Sequence, residues 1–137
     1  MIRFNRGIIA VSITLFAVAL TQKCYCTTAS CGDSLAVLLS GAIGFVFGGA
    51  ALTWLANPLL IISWFINSKK PKLSIILSLF AVLLALSFLL FKRIISDEAG
   101  NYSQIVSYQL GYWLWLSSSA VMFLGSTASF YFLKPST

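Results

Sequence analysis

The chain has 137 residues, of which 59% are hydrophobic and 9% are charged, and its mean hydropathy is +0.94. Soluble proteins carry about 25% charged residues, and a chain this short has a large surface to cover with polar groups. This composition excludes a disordered chain and an ordinary soluble enzyme. It indicates an integral membrane protein with the lipid bilayer as its first partner.

Nine Lys and Arg residues against three Asp and Glu residues give a formal charge of +6, and the sequence contains no His. The basic residues form short clusters between apolar runs, a pattern typical of membrane orientation and not of nucleic-acid binding. Without His, the commonest general base and the commonest metal ligand are missing. We therefore expect no catalytic residues, no cofactor, no metal site and no nucleic-acid partner.

Four apolar stretches follow one another, and a membrane-spanning helix needs about 20 apolar residues. They predict helices at about 5–21, 35–66, 73–92 and 109–133, with outer loops at 22–34 and 93–108. The second stretch is longer than one span requires; tilt, a kink at Pro58 or an interfacial lead-in through its glycines would account for the excess. The predicted fold is all-α: one domain, 1–137, forming an antiparallel bundle of four transmembrane helices.

The basic residues also predict the orientation, because they accumulate on the cytoplasmic side of membranes. With both termini inside, the inner segments hold six basic residues and no acidic ones: Arg3, Arg6, Lys69, Lys70, Lys72 and Lys134. The outer loops and the helix end next to them hold three basic and three acidic residues: Lys23, Lys92, Arg93, Asp33, Asp97 and Glu98. We predict a multi-pass protein of a bacterial inner (plasma) membrane, N-in and C-in.

The N-terminal segment has a second interpretation. Arg3 and Arg6, an apolar core and the run Ala17-Val18-Ala19 also describe a cleavable secretory signal. Cleavage would leave three spans and an external N-terminus. We favour the uncleaved anchor.

Three cysteines, Cys24, Cys26 and Cys31, lie in the first outer loop (QKCYCTTASCGDS), on the oxidising side of the predicted topology. We expect one bridge that ends at Cys31, with Cys24 slightly preferred over Cys26 because a wider ring strains the backbone less. The third cysteine is then a free thiol or bridges to a partner chain. A zinc site lacks a fourth ligand, and the Lys23 before Cys24 argues against lipid attachment.

The second stretch contains two features that concern helix packing. Ser40, Gly44 and Gly48 recur every four residues, and small residues at this spacing let helices approach closely in a membrane. They predict packing within the chain or, alternatively, the seam of a homo-oligomer. Asn57 and Pro58 predict a kink with the Asn57 amide bonded to another helix, or alternatively a hinge or a small polar site.

At LTWLANPLLIISWF (52–65) and GYWLWLSS (111–118), the chain resembles a group of small, uncharacterised bacterial four-pass inner-membrane proteins. The resemblance covers most of the predicted helices two to four and does not include the cysteine loop. It implies architecture only, because the group has no assigned activity.

The expected function is that of a non-enzymatic accessory or interaction protein, which binds a membrane protein or an extracytoplasmic partner through its two outer loops. Immunity proteins and assembly subunits are two cases of this class. The alternative is a channel or transporter subunit that is oligomeric through the glycines of the second stretch. The absence of ionisable residues from the predicted spans argues against an ion-coupled carrier and limits this alternative to a neutral solute. A membrane enzyme is the least favoured class, since nucleophiles, bases and metal ligands are scarce.

Overall fold

The computed structural model describes residues 2–28, 30–44, 46, 49–95 and 101–132. Within these ranges, five α-helices accompany four β-strands. The helices are α1 (Ile2–Leu20), α2 (Ser34–Gly44), α3 (Ala56–Ile66), α4 (Pro71–Ser87) and α5 (Leu110–Phe132). The strands are β1 (Lys23–Thr27), β2 (Cys31–Asp33), β3 (Arg93–Ile95) and β4 (Tyr102–Tyr108). Gly49–Leu55 and Phe88–Leu90 are 3₁₀ helices.

The prediction of an all-α bundle of four transmembrane helices is wrong. The two predicted outer loops contain the strands, which form an antiparallel sheet. Among the described residues, two helical segments are long and apolar enough to cross a membrane, Arg3–Leu20 and Pro71–Leu90. Within the structure, 22% of the first segment and 28% of the second are buried, whereas the core helix of a soluble protein is mostly buried.

The predicted helix at 35–66 is also wrong, because the chain divides it into α2, a 3₁₀ helix and α3. The apolar helical segment that contains α3 is Leu52–Ile66, which is about 22 Å long against about 30 Å of hydrocarbon. The Trp54 indole Nε1 donates to the Leu38 carbonyl oxygen at 2.8 Å, so the 3₁₀ helix folds back along α2. Gly41 permits this contact, since a Cβ there would overlap the Trp54 ring. The stretch is therefore longer than one span because its 3₁₀ helix folds back against α2.

Small residues lie where α1, α3, α4 and α5 meet. The Ser12 hydroxyl donates to the Ser118 carbonyl oxygen at 2.9 Å, and the Ser118 hydroxyl donates to the Ser12 carbonyl oxygen at 2.7 Å. The Trp64 indole Nε1 donates to Ser12 Oγ at 2.9 Å, which brings α3 to the same point. Further along α5, Gly125 lies against Ile8, where a Cβ would be 2.7 Å from that side chain.

These helices bury many small polar side chains beside a cluster of larger apolar ones that includes Phe16, Leu60 and Met122, whereas a soluble core is mostly apolar. The buried polar side chains of these helices include Ser12, Ser63, Ser74, Ser78, Ser118, Ser119, Ser126 and Ser129. Large apolar side chains that they expose include Val11, Ile13, Ile62, Ile76, Phe80, Leu83 and Leu124. Small, hydrogen-bonded interiors with apolar exteriors are typical of helices packed in a membrane.

The two ends of the molecule differ in structure and charge. At one end the strands form an antiparallel sheet in the order β2-β1-β4-β3, which we name the cap sheet. The other end, where α1 and α4 begin and α3 and α5 finish, we name the basic end. Its described basic residues are Arg3, Arg6, Lys69, Lys70 and Lys72; Lys134 lies outside the described residues.

Candidate functional site

The cap sheet joins the two segments that the sequence places in separate outer loops. Strand β1 pairs with β4, and Tyr25 lies opposite Tyr108. The run YSQIVSY in β4 is rich in β-branched and aromatic residues, which favour strands. The two outer segments therefore present one continuous surface.

A disulfide closes the β1–β2 hairpin. Cys26 and Cys31 are directly opposite each other, with their Cα atoms 3.9 Å apart, and their sulfurs are bonded. The prediction of a bridge that ends at Cys31 is confirmed, whereas the preference for Cys24 as its partner is wrong. The strand register skips one residue at Cys24, which is a bulge in β1. Strand register, and not ring strain, selects Cys26.

The remaining cysteine, Cys24, is a free thiol packed between the cap sheet and the helices. Burial raises its pKa to about 11, and the adjacent Ser34 hydroxyl lowers it to a smaller extent. At neutral pH the thiol therefore keeps its proton, which makes it a weak nucleophile and a weak metal ligand. In the part of the chain that the structure describes, no group of three His, Cys, Asp or Glu residues could hold a metal ion.

Aromatic rings fix the cap sheet to the helices. We name as the aromatic cluster Tyr25, Phe88, Tyr108, Tyr112, Trp113 and Trp115, whose neighbouring ring centroids are 5.1–6.4 Å apart. Tyr112 is fully buried, and its hydroxyl donates to the Ala85 carbonyl oxygen at 2.7 Å. Such ring pairs each contribute about 0.5–1.5 kcal/mol beyond area burial. The cluster makes the cap sheet a preformed surface.

The first turn of α5 approaches β1 at Gly111. A Cβ at this position would lie 2.6 Å from the Lys23 carbonyl oxygen and would overlap the Ser34 hydroxyl. Next to it, the Gln109 amide donates to the Cys24 carbonyl oxygen at 3.0 Å. Glycine at 111 therefore allows the sheet and the helix to meet backbone to backbone.

The outward face of the cap sheet combines polar, aromatic and apolar groups. Three residues of β4 are exposed: Tyr102, Gln104 and Val106. The pairing of β4 with β1 skips Val106, which therefore forms a bulge in β4. The Arg93 guanidinium lies over the Tyr102 ring, 5.9 Å from its centroid. Tyr and Arg are enriched in protein–protein interfaces. The two edge strands have three residues each, a length that limits unspecific edge pairing.

Asn57 makes the predicted contact with another helix, and Pro58 lies near the start of a helix that is shorter than predicted. The Asn57 Oδ1 accepts a hydrogen bond from the Trp115 indole Nε1 at 2.8 Å, which confirms the predicted bond to another helix. Pro58 is the third residue of α3, directly after the 3₁₀ helix Gly49–Leu55, so it lies where the chain changes from a 3₁₀ helix to an α-helix. The predicted position of Pro58 deep within one long helix is therefore wrong, whereas the kink and the hinge stay predictions.

Two of the three small residues of the second stretch, Ser40 and Gly44, belong to the described part of the chain. Ser40 is exposed, and a Cβ at Gly44 would meet no atom within 4 Å. Gly48 lies outside the described residues, as do Asp97 and Glu98. Internal packing at Gly44 is therefore not observed, and the homo-oligomer seam stays a prediction.

Several residues that build this site are not among the sequence-based candidates. Gly111, Tyr25 and Phe88 join the cap sheet to the helices, and no local pattern marks them. The alternation in YSQIVSY was a usable strand signal. No protein-family model matches the sequence, and no match was found among curated proteins or among solved structures. The resemblance to small bacterial inner-membrane proteins stays a prediction, and its four-pass architecture does not agree with this fold.

Proposed function

We propose that this protein is a small, non-enzymatic accessory protein of a bacterial inner membrane, which binds a membrane or extracytoplasmic protein on its cap sheet. The observation that carries the proposal is the junction of two distant segments into one disulfide-closed sheet. A surface fixed in advance binds a partner at a lower entropic cost than two separate flexible loops would.

The membrane location is supported by the small polar side chains that the helices bury and the large apolar ones that they expose. The fully buried Ser12 and Ser118 satisfy each other's hydrogen bonds, while Phe80 and Leu83 expose about half of their surface. Water disfavours such an arrangement, whereas lipid tails solvate exposed aliphatic side chains. The two candidate spans, Arg3–Leu20 and Pro71–Leu90, would insert as a multi-pass protein.

The distribution of charge supports an external cap sheet. The basic end carries the cluster Lys69, Lys70 and Lys72, and basic clusters are retained in the cytoplasm. The cap sheet balances Lys23 with Asp33, whose charged atoms are 2.5 Å apart. This ion pair is exposed and contributes little stability. In the sequence Lys92 and Arg93 of the same end are balanced by Asp97 and Glu98, which lie outside the described residues.

Photo-crosslinking in intact cells tests the proposal. A photoreactive amino acid at Gln104 samples the outward face of β4, and the same group at Phe80 samples the exposed surface of α4 as a matched control. We expect a discrete protein adduct from position 104 and none from position 80. The double variant Arg93→Ala, Tyr102→Ala should abolish the adduct, because it removes the stacked pair on that face.

The absence of an adduct at position 104 would contradict the proposal, and so would an adduct that the double variant leaves unchanged. An adduct at position 80 alone would show that the partner binds the helices and not the cap sheet. In each case the disulfide should be shown to be intact, since its loss would disturb the surface itself.

The alternative function is an oligomeric channel or transporter subunit for a neutral solute, and the open position of Gly44 is what favours it. In this proposal a second copy covers the exposed face of α2. The variant Gly44→Leu should then lower the mass of the particle in mild detergent, whereas Gly7→Leu, also at an open position, should not. A monomeric wild-type particle would remove this alternative.

A further inference from the structure

A small pocket is partly open at the basic end, between the start of α1, the connection from α3 to α4 and the last turns of α5. Its volume is about 120 Å³. Cavities of roughly 150 Å³ can take up benzene, so the pocket is large enough for a group the size of phosphate. Pro71 and Phe130 contribute apolar wall, and Asn5, Asn67 and Ser126 contribute polar groups.

Two residues of this wall each have a buried side-chain atom without a hydrogen-bond partner, Asn67 Nδ2 and Ser126 Oγ. Each of these residues is 2% exposed. On the same side, the Ser129 hydroxyl donates to Asn5 Oδ1, so the neighbouring polar groups are satisfied. A buried donor without a partner is costly, and native proteins satisfy it with a water or a ligand. Both unsatisfied groups can donate a hydrogen bond, which indicates an acceptor in the pocket.

The surrounding charge indicates that this acceptor is an anion. The Lys72 Nζ lies over the Phe130 ring, 5.8 Å from the centroid, and Phe130 lines the pocket. Asp33, the acidic residue among those described, lies at the opposite end, in the cap sheet. The helix α4 begins at Pro71 without a side-chain cap, so the positive end of its dipole is at the pocket wall.

We propose that this pocket binds the phosphate group of an anionic ligand, with Asn67 and Ser126 as hydrogen-bond donors and Lys72 as the compensating charge. The phosphate belongs either to the headgroup of an anionic phospholipid or to a free phosphate ion. The exposed Tyr131 and Phe132 beside Phe130 favour the headgroup, because aromatic residues accumulate at the membrane–water interface. The pocket requires no partner on the cap sheet, so this site is independent of the proposed function.

Nuclear magnetic resonance of the full chain in non-ionic detergent tests the site through the side-chain amide signal of Asn67. One titration uses inorganic phosphate, and a second uses short-chain phosphatidylglycerol. A saturable shift with phosphatidylglycerol alone identifies a lipid site, and a saturable shift with both identifies a site for phosphate itself. If neither titration shifts this signal, the pocket holds water and the proposal is overturned.

Two variants and a control add a measurement of affinity by calorimetry. Asn67→Asp replaces a donor with a negative charge of similar shape and should weaken binding by about tenfold or more. Lys72→Gln changes an exposed side chain, keeps the fold intact and should weaken binding by about threefold or more. Lys92→Gln, at the opposite end, removes the same charge and should leave the affinity unchanged. Wild-type affinity in both pocket variants would overturn the proposal.

Discussion

The helices bury small polar side chains around a few larger apolar ones, whereas the cap sheet is packed on the helices through aromatic rings. On α4, Ser78 and Ala81 are fully buried while Leu83 is half exposed. At the cap sheet, Tyr25 is buried while Gln104 is exposed. The two regions therefore differ in what they bury, although the first turn of α5 connects them directly.

This difference indicates that the two regions are stabilised by different forces. Aromatic burial gains free energy from the exclusion of water, so it stabilises a region that is in contact with water. Between helices in lipid this force is absent, and close packing and hydrogen bonds hold the helices together. The effects of substitutions on the free energy of unfolding should accordingly differ between the two regions, both in size and in their dependence on the solvent.

The largest change in the free energy of unfolding should come from Gly111→Ala, at the point where the two regions meet. The new methyl group would lie 2.6 Å from the Lys23 carbonyl oxygen, and the backbone can move away only by separating α5 from β1. We expect the free energy of unfolding to fall by about 3 kcal/mol, as for overpacking at a rigid site. Thermal unfolding in detergent measures the change.

The matched control is Gly7→Ala, because a Cβ at Gly7 would meet no atom within 4 Å. Alanine favours the helical conformation over glycine by about 0.5–1 kcal/mol, so this variant should be as stable as the wild type or slightly more stable. Equal destabilisation by both substitutions would contradict the close junction at Gly111.

The second effect concerns the cap sheet alone. Reduction of the Cys26–Cys31 bridge should lower stability by about 2 kcal/mol, the loop-entropy value for a short ring. The measurement compares thermal unfolding with and without reductant. In Cys24→Ala the effect of the reductant should persist, and in the double variant Cys26→Ala, Cys31→Ala it should vanish. A persistent effect in that double variant would assign the bridge to a different pair.

The contrast between the two regions explains which features the sequence predicted correctly. Asn57 is conspicuous in an apolar run, and an amide there needs a partner, so its bond to another helix follows from local chemistry. The small residues Ser74, Ser78, Ala81 and Ala85 recur at helical spacing and form the buried face of α4, but no prediction was drawn from them.

The choice of Cys26 over Cys24 could not be predicted in the same way. It depends on a one-residue bulge between β1 and β2, within a sheet that pairs segments about 80 residues apart. Nothing near the cysteines specifies that register. The division of 35–66 depends likewise on the contact between Gly41 and Trp54, which forms only when the chain folds back.

The third effect is confined to the helices. Ser12→Ala removes the acceptor of the Trp64 indole and one bond to α5, so we expect a loss of about 1 kcal/mol, within the range of hydrogen bonds between membrane helices. Thr14→Ala is the control, because that exposed hydroxyl bonds only to the Ala10 carbonyl of its own helix. Thermal unfolding again gives the measurement, and equal losses in both variants would contradict a shared polar contact.

The smallest effect is a pH dependence at the junction of the two regions. Burial raises the pKa of the Cys24 thiol from 9.0 to about 11, so the folded protein keeps this proton over a range in which the unfolded chain has lost it. The unfolded state then binds fewer protons, and the free energy of unfolding decreases as the pH rises through that range. This contribution is complete below pH 9.0 and is lost by about pH 11. Burial also raises the pKa of Tyr25, from 10.0 to about 12, which adds a decrease of the same sign at higher pH. Burial raises the pKa values of Tyr108 and Tyr112 in the same direction. Unfolding temperatures measured against pH should therefore begin to fall earlier in the wild type than in Cys24→Ala, in which the decrease begins with these tyrosines. Coincident curves would mean that the Cys24 thiol is not desolvated at the contact between the sheet and the helices.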